Sequence, residues 1–177
     1  MKKIVLAGAT LALAMTAGSA LAANSLVKGT LGLNVPVQNN QTDNFMINGK
    51  YLVTNDLAVL AGFGLRVAGG DAKGTDIGLS GGIRKYLKTD DFAPFVGGRL
   101  IYTSTNDSNT TDLSLMAEAG AEYFLAKQFS IEGRIGFGYT SNETKTITIV
   151  GFTPVTTTAK TTYIGTGTLG LSANYYF

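Results

Sequence analysis

Gly82-Ile83-Arg84-Lys85-Tyr86-Leu87, followed by the turn Lys88-Thr89-Asp90-Asp91 and then by Phe92-Ala93-Pro94-Phe95, is one copy of a pattern the chain repeats. The others are Asn48-Gly49-Lys50-Tyr51-Leu52-Val53, Gly120-Ala121-Glu122-Tyr123-Phe124-Leu125 and, at the chain end, Ser172-Ala173-Asn174-Tyr175-Tyr176-Phe177. Short turns, Thr54-Asn55-Asp56 and Ala126-Lys127-Gln128, lead two of these into Leu57-Ala58-Val59-Leu60 and Phe129-Ser130-Ile131-Glu132. Polar turn residues between alternating apolar runs mark antiparallel hairpins. Three hairpins, a first strand and a closing strand predict eight strands, near 26–35, 45–53, 57–68, 77–87, 92–102, 113–125, 129–140 and 162–177. The fold class that follows is all-β, an eight-stranded antiparallel up-and-down transmembrane β-barrel, since an even strand number suits closure.

The connections at the other end, 36–44, 69–76, 103–112 and 141–161, are longer and rich in Asn, Asp, Thr and Gly. Short turns at one end and long loops at the other are the asymmetry of outer-membrane barrels. Within 141–161, Thr146–Val150 and Val155–Thr158 flank Gly151-Phe152-Thr153-Pro154, which reads as a hairpin continuing strands seven and eight.

Period-two reading divides the strands into two faces. One carries Leu33, Ile47, Tyr51, Val59, Phe63, Leu79, Leu100, Leu115, Ile135, Phe137 and Leu171, and its single strand charge is Lys85, beside a turn. The other carries Lys28, Lys50, Arg66, Arg84, Arg99 and Arg134 against Glu118, Glu122 and Glu132, a formal excess of +3, among glycines and Ser80, Ser114, Thr166, Thr168 and Asn174. An apolar face whose single charge lies beside a turn predicts lipid contact, because Lys or Arg at mid-bilayer costs about 2–4 kcal/mol. Ten residues rising about 3.3 Å each at a tilt of about 40° climb about 25 Å, the height of such a band. Tyr51, Tyr123 and Tyr175 at one level predict an interfacial girdle. Alternation alone also admits the inverse, a soluble lipocalin-like barrel with its apolar face around a ligand.

Lys2 and Lys3 precede an apolar run, Ile4 to Met15, and Ala20-Leu21-Ala22, the layout of a secretory signal cut after Ala22 or Ala23. Residues 1–22 are thus expected to be a cleaved signal peptide and 23–177 the barrel domain. Without Lys2 and Lys3 the fourteen basic residues become twelve, equal to the twelve acidic ones, so no basic excess points to nucleic acid. There is no Cys and no His, which removes thiolate metal sites and the commonest general base. Gly69-Gly70-Asp71-Ala72-Lys73-Gly74 has the wrong order for a phosphate loop. No catalytic residue, cofactor or metal is expected.

Leu169, Leu171, Ala173, Tyr175 and the terminal Phe177 alternate on one face. This resembles the C-terminal assembly signal of outer-membrane barrel proteins, and the whole pattern resembles the small eight-stranded family of the outer membrane protein X and outer membrane protein A transmembrane-domain type, porin-family β-barrels. The resemblance implies the cell outer membrane as location. It also implies recognition by the barrel-assembly machinery through Leu171, Ala173, Tyr175 and Phe177, with membrane lipid and lipopolysaccharide as surroundings. The enzymes of this size class depend on His, which this chain lacks.

Inside such a barrel the repeat places Lys50, Arg84, Glu122 and Asn174 at one depth, with Glu132 and Arg134 near them and Arg99 beside Glu118 in a second layer. Glu122 and Glu132 flank one turn, the spacing of an acid and base pair. The three basic neighbours make an ion-pair network the expected outcome. Asp43, Asp71, Asp76, Asp107, Asp112 and Glu143 at the loop end are expected to be solvated charges. The leading functional expectation is a monomeric, non-catalytic outer-membrane protein, structural or binding a surface ligand through its loops. The alternatives are a narrow gated channel for water or small ions and the lipocalin-like binder.

Overall fold

Alternating runs form extended chain here because β-branched and aromatic residues pack on a pleated surface, and each hairpin supplies the backbone partners that an isolated strand lacks. In the computed structural model, residues 24–37, 46–68, 74–106, 109–150 and 153–177 are described. The expected signal peptide, with Asp43, Asp71 and Asp107, lies outside them. The strands are β1 (Leu31–Pro36), β2 (Met46–Leu52), β3 (Leu57–Ala68), β4 (Gly74–Tyr86), β5 (Phe92–Thr105), β6 (Thr110–Ala126), β7 (Phe129–Val150) and β8 (Thr153–Tyr176). Each pairs antiparallel with its neighbours in chain order, and β1 pairs with β8, so the eight strands close into a barrel.

Several strand boundaries differ from the expected ranges. The first strand begins at Leu31, not 26, because Asn24 to Thr30 turns under the barrel and Leu26 is buried there. The hairpin expected within 141–161 to continue strands seven and eight forms, over its described residues 141–150 and 153–161. β7 and β8 run on through it in unbroken register, from Ser141↔Thr162 to Val150↔Thr153, since its Thr, Ile and Val residues suit a ladder once a partner strand lies alongside. Thr75 and Asp76, and Thr103 to Thr105, likewise belong to strands rather than loops.

The turns at the other end are tight. Thr54 Oγ1 accepts from the backbone N–H of Leu57 at 3.0 Å and donates to Asp56 at 2.7 Å, closing the β2–β3 turn. Lys85, the charge expected on the apolar face, lies beside this turn and pairs with Asp56. The Lys85 ammonium and the Thr54 hydroxyl, bonded to Asp56, hold its carboxyl below the ordinary carboxylate range. That small contribution is present at neutral pH and is lost as pH falls through the lowered value.

Burial alternates along the strands within the barrel, cleanest in β2, where Met46, Asn48, Lys50 and Leu52 are buried and Ile47, Gly49 and Tyr51 exposed; the far ends of β7 and β8 are exposed on both sides. The apolar face points outward and the polar face inward, the reverse of a lipocalin-like arrangement. One irregularity breaks the alternation. Gly136 pairs with Thr168 and Phe137 with Thr166, leaving Gly167 as an extra residue, a β-bulge that switches β8 to the opposite phase beyond it. Thr166, expected inside, is therefore exposed beside Phe137.

Glycine leaves the room that inward side chains occupy. A Cβ at Gly120 would lie 2.3 Å from the Gly133 carbonyl oxygen and 2.6 Å from the Phe95 ring, whereas a Cβ at outward Gly133 meets nothing within 4 Å. Gly120→Val is expected to lower stability by about 3 kcal/mol or prevent folding, and Gly133→Val to change it by less than about 1 kcal/mol. Urea midpoints of the two variants check this. Equal midpoints would contradict the assigned faces.

Candidate functional site: the charged lumen

Each strand contributes inward side chains, and the charged ones meet across the barrel axis. Lys50, Arg84, Arg99, Glu118, Glu122, Glu132 and Arg134 are all buried, none above 5% exposed. Lys28, expected among them, is exposed in the segment before β1. Arg66 has 64% of its side chain exposed and pairs with Asp76 at the end of the barrel where β3 and β4 finish. The deep lumen therefore holds four cations, Lys50, Arg84, Arg99 and Arg134, over three carboxylates. The expected excess of +3 falls to +1 because Lys28 precedes the first strand and Arg66 has its own acid.

Glu122 and Glu132 are paired directly in register and share Lys50, which lies 2.8 Å from Glu122 and 3.4 Å from Glu132, while their other donors differ. Lys50 Nζ donates to Glu122 at 2.8 Å, to the Tyr176 hydroxyl at 2.9 Å and to the Tyr86 hydroxyl at 3.0 Å. Glu122 also accepts from the Tyr86 hydroxyl at 2.7 Å and from the Tyr176 and Ser130 hydroxyls at 2.5 Å each. Arg84 takes Glu132 with both terminal nitrogens, at 2.7 and 2.9 Å, and its guanidinium lies 3.6 Å over the Phe95 ring. A two-pronged guanidinium–carboxylate contact is the strongest form of such a pair. The second layer joins Arg99 Nε to Glu118 at 3.3 Å, with Arg84 and Arg134 each 3.9 Å from the same carboxylate.

A neutral chain of hydrogen bonds links the network to the first strands. Ser80 donates to Asn48 at 2.9 Å, Asn48 to Asn34 at 3.4 Å, Asn34 to Asn174 at 2.7 Å and Asn174 to Ser130 at 3.1 Å. Asn34, Asn48, Ser130, Tyr86 and Tyr176 were not among the expected site residues. The signal for the two tyrosines was parity, since Tyr86 stands two residues after Arg84 and Tyr176 two after Asn174.

Apolar layers bracket the charges along the axis. Toward the turns lie Leu26, Leu52, Ala58, Tyr86, Ala93, Phe95, Phe124 and Tyr176; toward the opposite end lie Met46, Ile101 and Met116. Both carboxylates of the Glu122–Glu132 pair have fully buried side chains. Among the described residues no group of three or more His, Cys, Asp or Glu is placed to hold a metal. Leu171, Tyr175 and Phe177 face outward and Ala173 shares their side of β8, with the Tyr175 and Phe177 rings edge to face at 5.2 Å.

In comparisons with known proteins, no family model and no curated protein matches this chain.

Removing one member of a fully desolvated pair strands its partner, at a cost of about 3–5 kcal/mol, whereas replacing both by apolar groups relieves most of that. Glu132→Leu is expected to destabilise the barrel by about that amount, and Arg84→Met combined with Glu132→Leu by clearly less. A double-mutant cycle in urea reads the difference. Additive losses would show that the two side chains are not coupled.

Proposed function

We propose that this chain is an outer-membrane β-barrel protein whose role is non-catalytic and is exercised at the surface through its loop end. The observation that carries the first part is the exterior. Leu33, Ile47, Val59, Phe63, Leu79, Leu100, Leu115, Ile135 and Phe137 are each at least 38% exposed, on strands that surround the closed barrel. Contiguous apolar surface of that extent is far beyond what a soluble monomer exposes, and hydrocarbon is the solvent that suits it. Tyr51, Tyr123, Tyr175 and Phe177 ring the turn end, and Tyr102 and Tyr139 stand nearer the other, as interfacial aromatics do. The outward charges are Lys85 beside a turn and Glu143, Lys145 and Lys160 toward the far end of β7 and β8, outside the band. The closed fold and the terminal motif support the resemblance to the small eight-stranded outer-membrane family, and with it export by the N-terminal segment and assembly through β8.

A surface role is favoured over a channel by the lumen. Charges enclosed between two apolar layers offer no continuous polar path, and an eight-stranded barrel is only wide enough to be filled by side chains. The β7–β8 hairpin provides a different kind of surface. Beyond Thr144, where pairing with β6 ends, β7 and β8 continue as a two-stranded ribbon with Ile149 73% and Val155 45% exposed. A protruding two-stranded ribbon suits binding of an extended segment from a surface ligand.

The chain is expected to fractionate with outer membranes and to show a heat-dependent shift in gel mobility. Leu115→Arg, in mid-band, should cost about 2–4 kcal/mol of folding free energy in lipid, and an arginine in place of Lys85 almost nothing. A soluble periplasmic product without a heat-shifted band would overturn the reading. In planar bilayers the barrel should give no stable unitary current. Currents altered by replacing Arg99 or Glu118 would favour the channel instead.

A further inference from the structure

The residues before β1 do not trail away from the barrel. Asn24 donates from its side-chain amide to the carbonyls of Thr89 and Asp90, at 2.8 and 2.6 Å, and the Ser25 hydroxyl donates to the Lys127 carbonyl at 2.6 Å. The Lys28 backbone N–H donates to the Asn55 side chain at 2.9 Å. These contacts reach all three turns that close the hairpins at that end, β2–β3, β4–β5 and β6–β7. Gly29, at φ +88°, reverses the chain so that its N–H donates to the Leu52 carbonyl at 2.8 Å. Between the anchors Leu26, 3% exposed, belongs to the same buried cluster as Ala58, Tyr86, Phe124 and Tyr176.

A segment stapled to every turn and carrying one apolar plug blocks the barrel mouth on that side. We propose that residues 24–30 form a cork that seals the turn end of the lumen, and that its withdrawal admits water and small solutes to the buried layer of Ala58, Tyr86 and Tyr176 against which Leu26 packs. The Tyr86 and Tyr176 hydroxyls bond Lys50 and Glu122, so the cork also keeps water from the charged layer above. This holds whatever surrounds the outside of the barrel. The local opening that exposes this layer is limited by six hydrogen bonds and one leucine.

The chain has no cysteine, so a single thiol reports without ambiguity. Ala58→Cys would be introduced into the full chain, folded in detergent micelles and reacted with a small, water-soluble methanethiosulfonate. In the parent background labelling is expected to be slow. With Leu26→Ala, and separately with Asn24→Ala plus Ser25→Ala, it should accelerate about tenfold or more. Both backgrounds keep every strand pair, and a heat-shifted gel band verifies folding; if Leu26→Ala does not fold, the polar pair of substitutions decides alone. Thr158→Ala, exposed near the opposite end of β8, should leave the rate slow. Unchanged labelling in the cork variants, or equal acceleration by Thr158→Ala, would overturn the proposal.

Discussion

An eight-stranded closed sheet has an interior only as wide as the side chains that fill it, so a charge placed inside must be answered by another inside residue. Lys50, Arg84, Glu122 and Glu132 meet that requirement by pairing across the axis, and their bonds join β2, β4, β6 and β7 through the centre rather than around the wall. β8 enters the same arrangement through Asn174 and Tyr176. Closure of the sheet and satisfaction of the network are therefore one condition. The β1–β8 seam, with register from Gly32↔Tyr176 to Pro36↔Ser172, brings Tyr176 to Glu122 and Lys50.

The same constraint distributes the glycines and the apolar residues. Inward Gly32 faces the Tyr176 ring, and Gly170 leaves space for Arg134; larger residues there would displace the groups that reach the charges. Leu26, Leu52 and Phe124 at one end and Met46, Ile101 and Met116 at the other exclude water from the middle, which strengthens the ion pairs and makes any unpaired member costly. Polarity is thereby inverted relative to a lipocalin-like barrel, with charged side chains enclosed and apolar side chains outside. That inversion underlies both the proposed membrane setting and the proposed role of the loop end and the β7–β8 ribbon.

Much of this was readable along the chain. The turns around Asn55, Asp90 and Lys127 located three hairpins, and period-two alternation put Lys50, Arg84 and Glu122 on the face away from Tyr51, Lys85 and Tyr123. Other features were not readable, for specific reasons. Lys28 matched the polar phase, but phase means nothing before Gly29 reverses the chain. Thr166 matched it too, until the bulge at Gly167 shifted the register. Tyr86 and Tyr176 have inward parity, but nothing local to either distinguishes a tyrosine that bonds a buried carboxylate from one in an outer girdle.

By itself the sequence determined the strand number, the order of pairing and the polarity of the two faces. These are local properties, set by a two-residue period and by turn chemistry within a few positions. Only the tertiary structure decided which cation meets which carboxylate, where the register slips and where Asn24 to Thr30 goes. Lys50 and Glu122 are 72 residues apart, and Asn24 and Asp90 are 66 apart. Such pairs are brought within bonding distance by the stagger and curvature of a closed sheet, which no window of the chain contains.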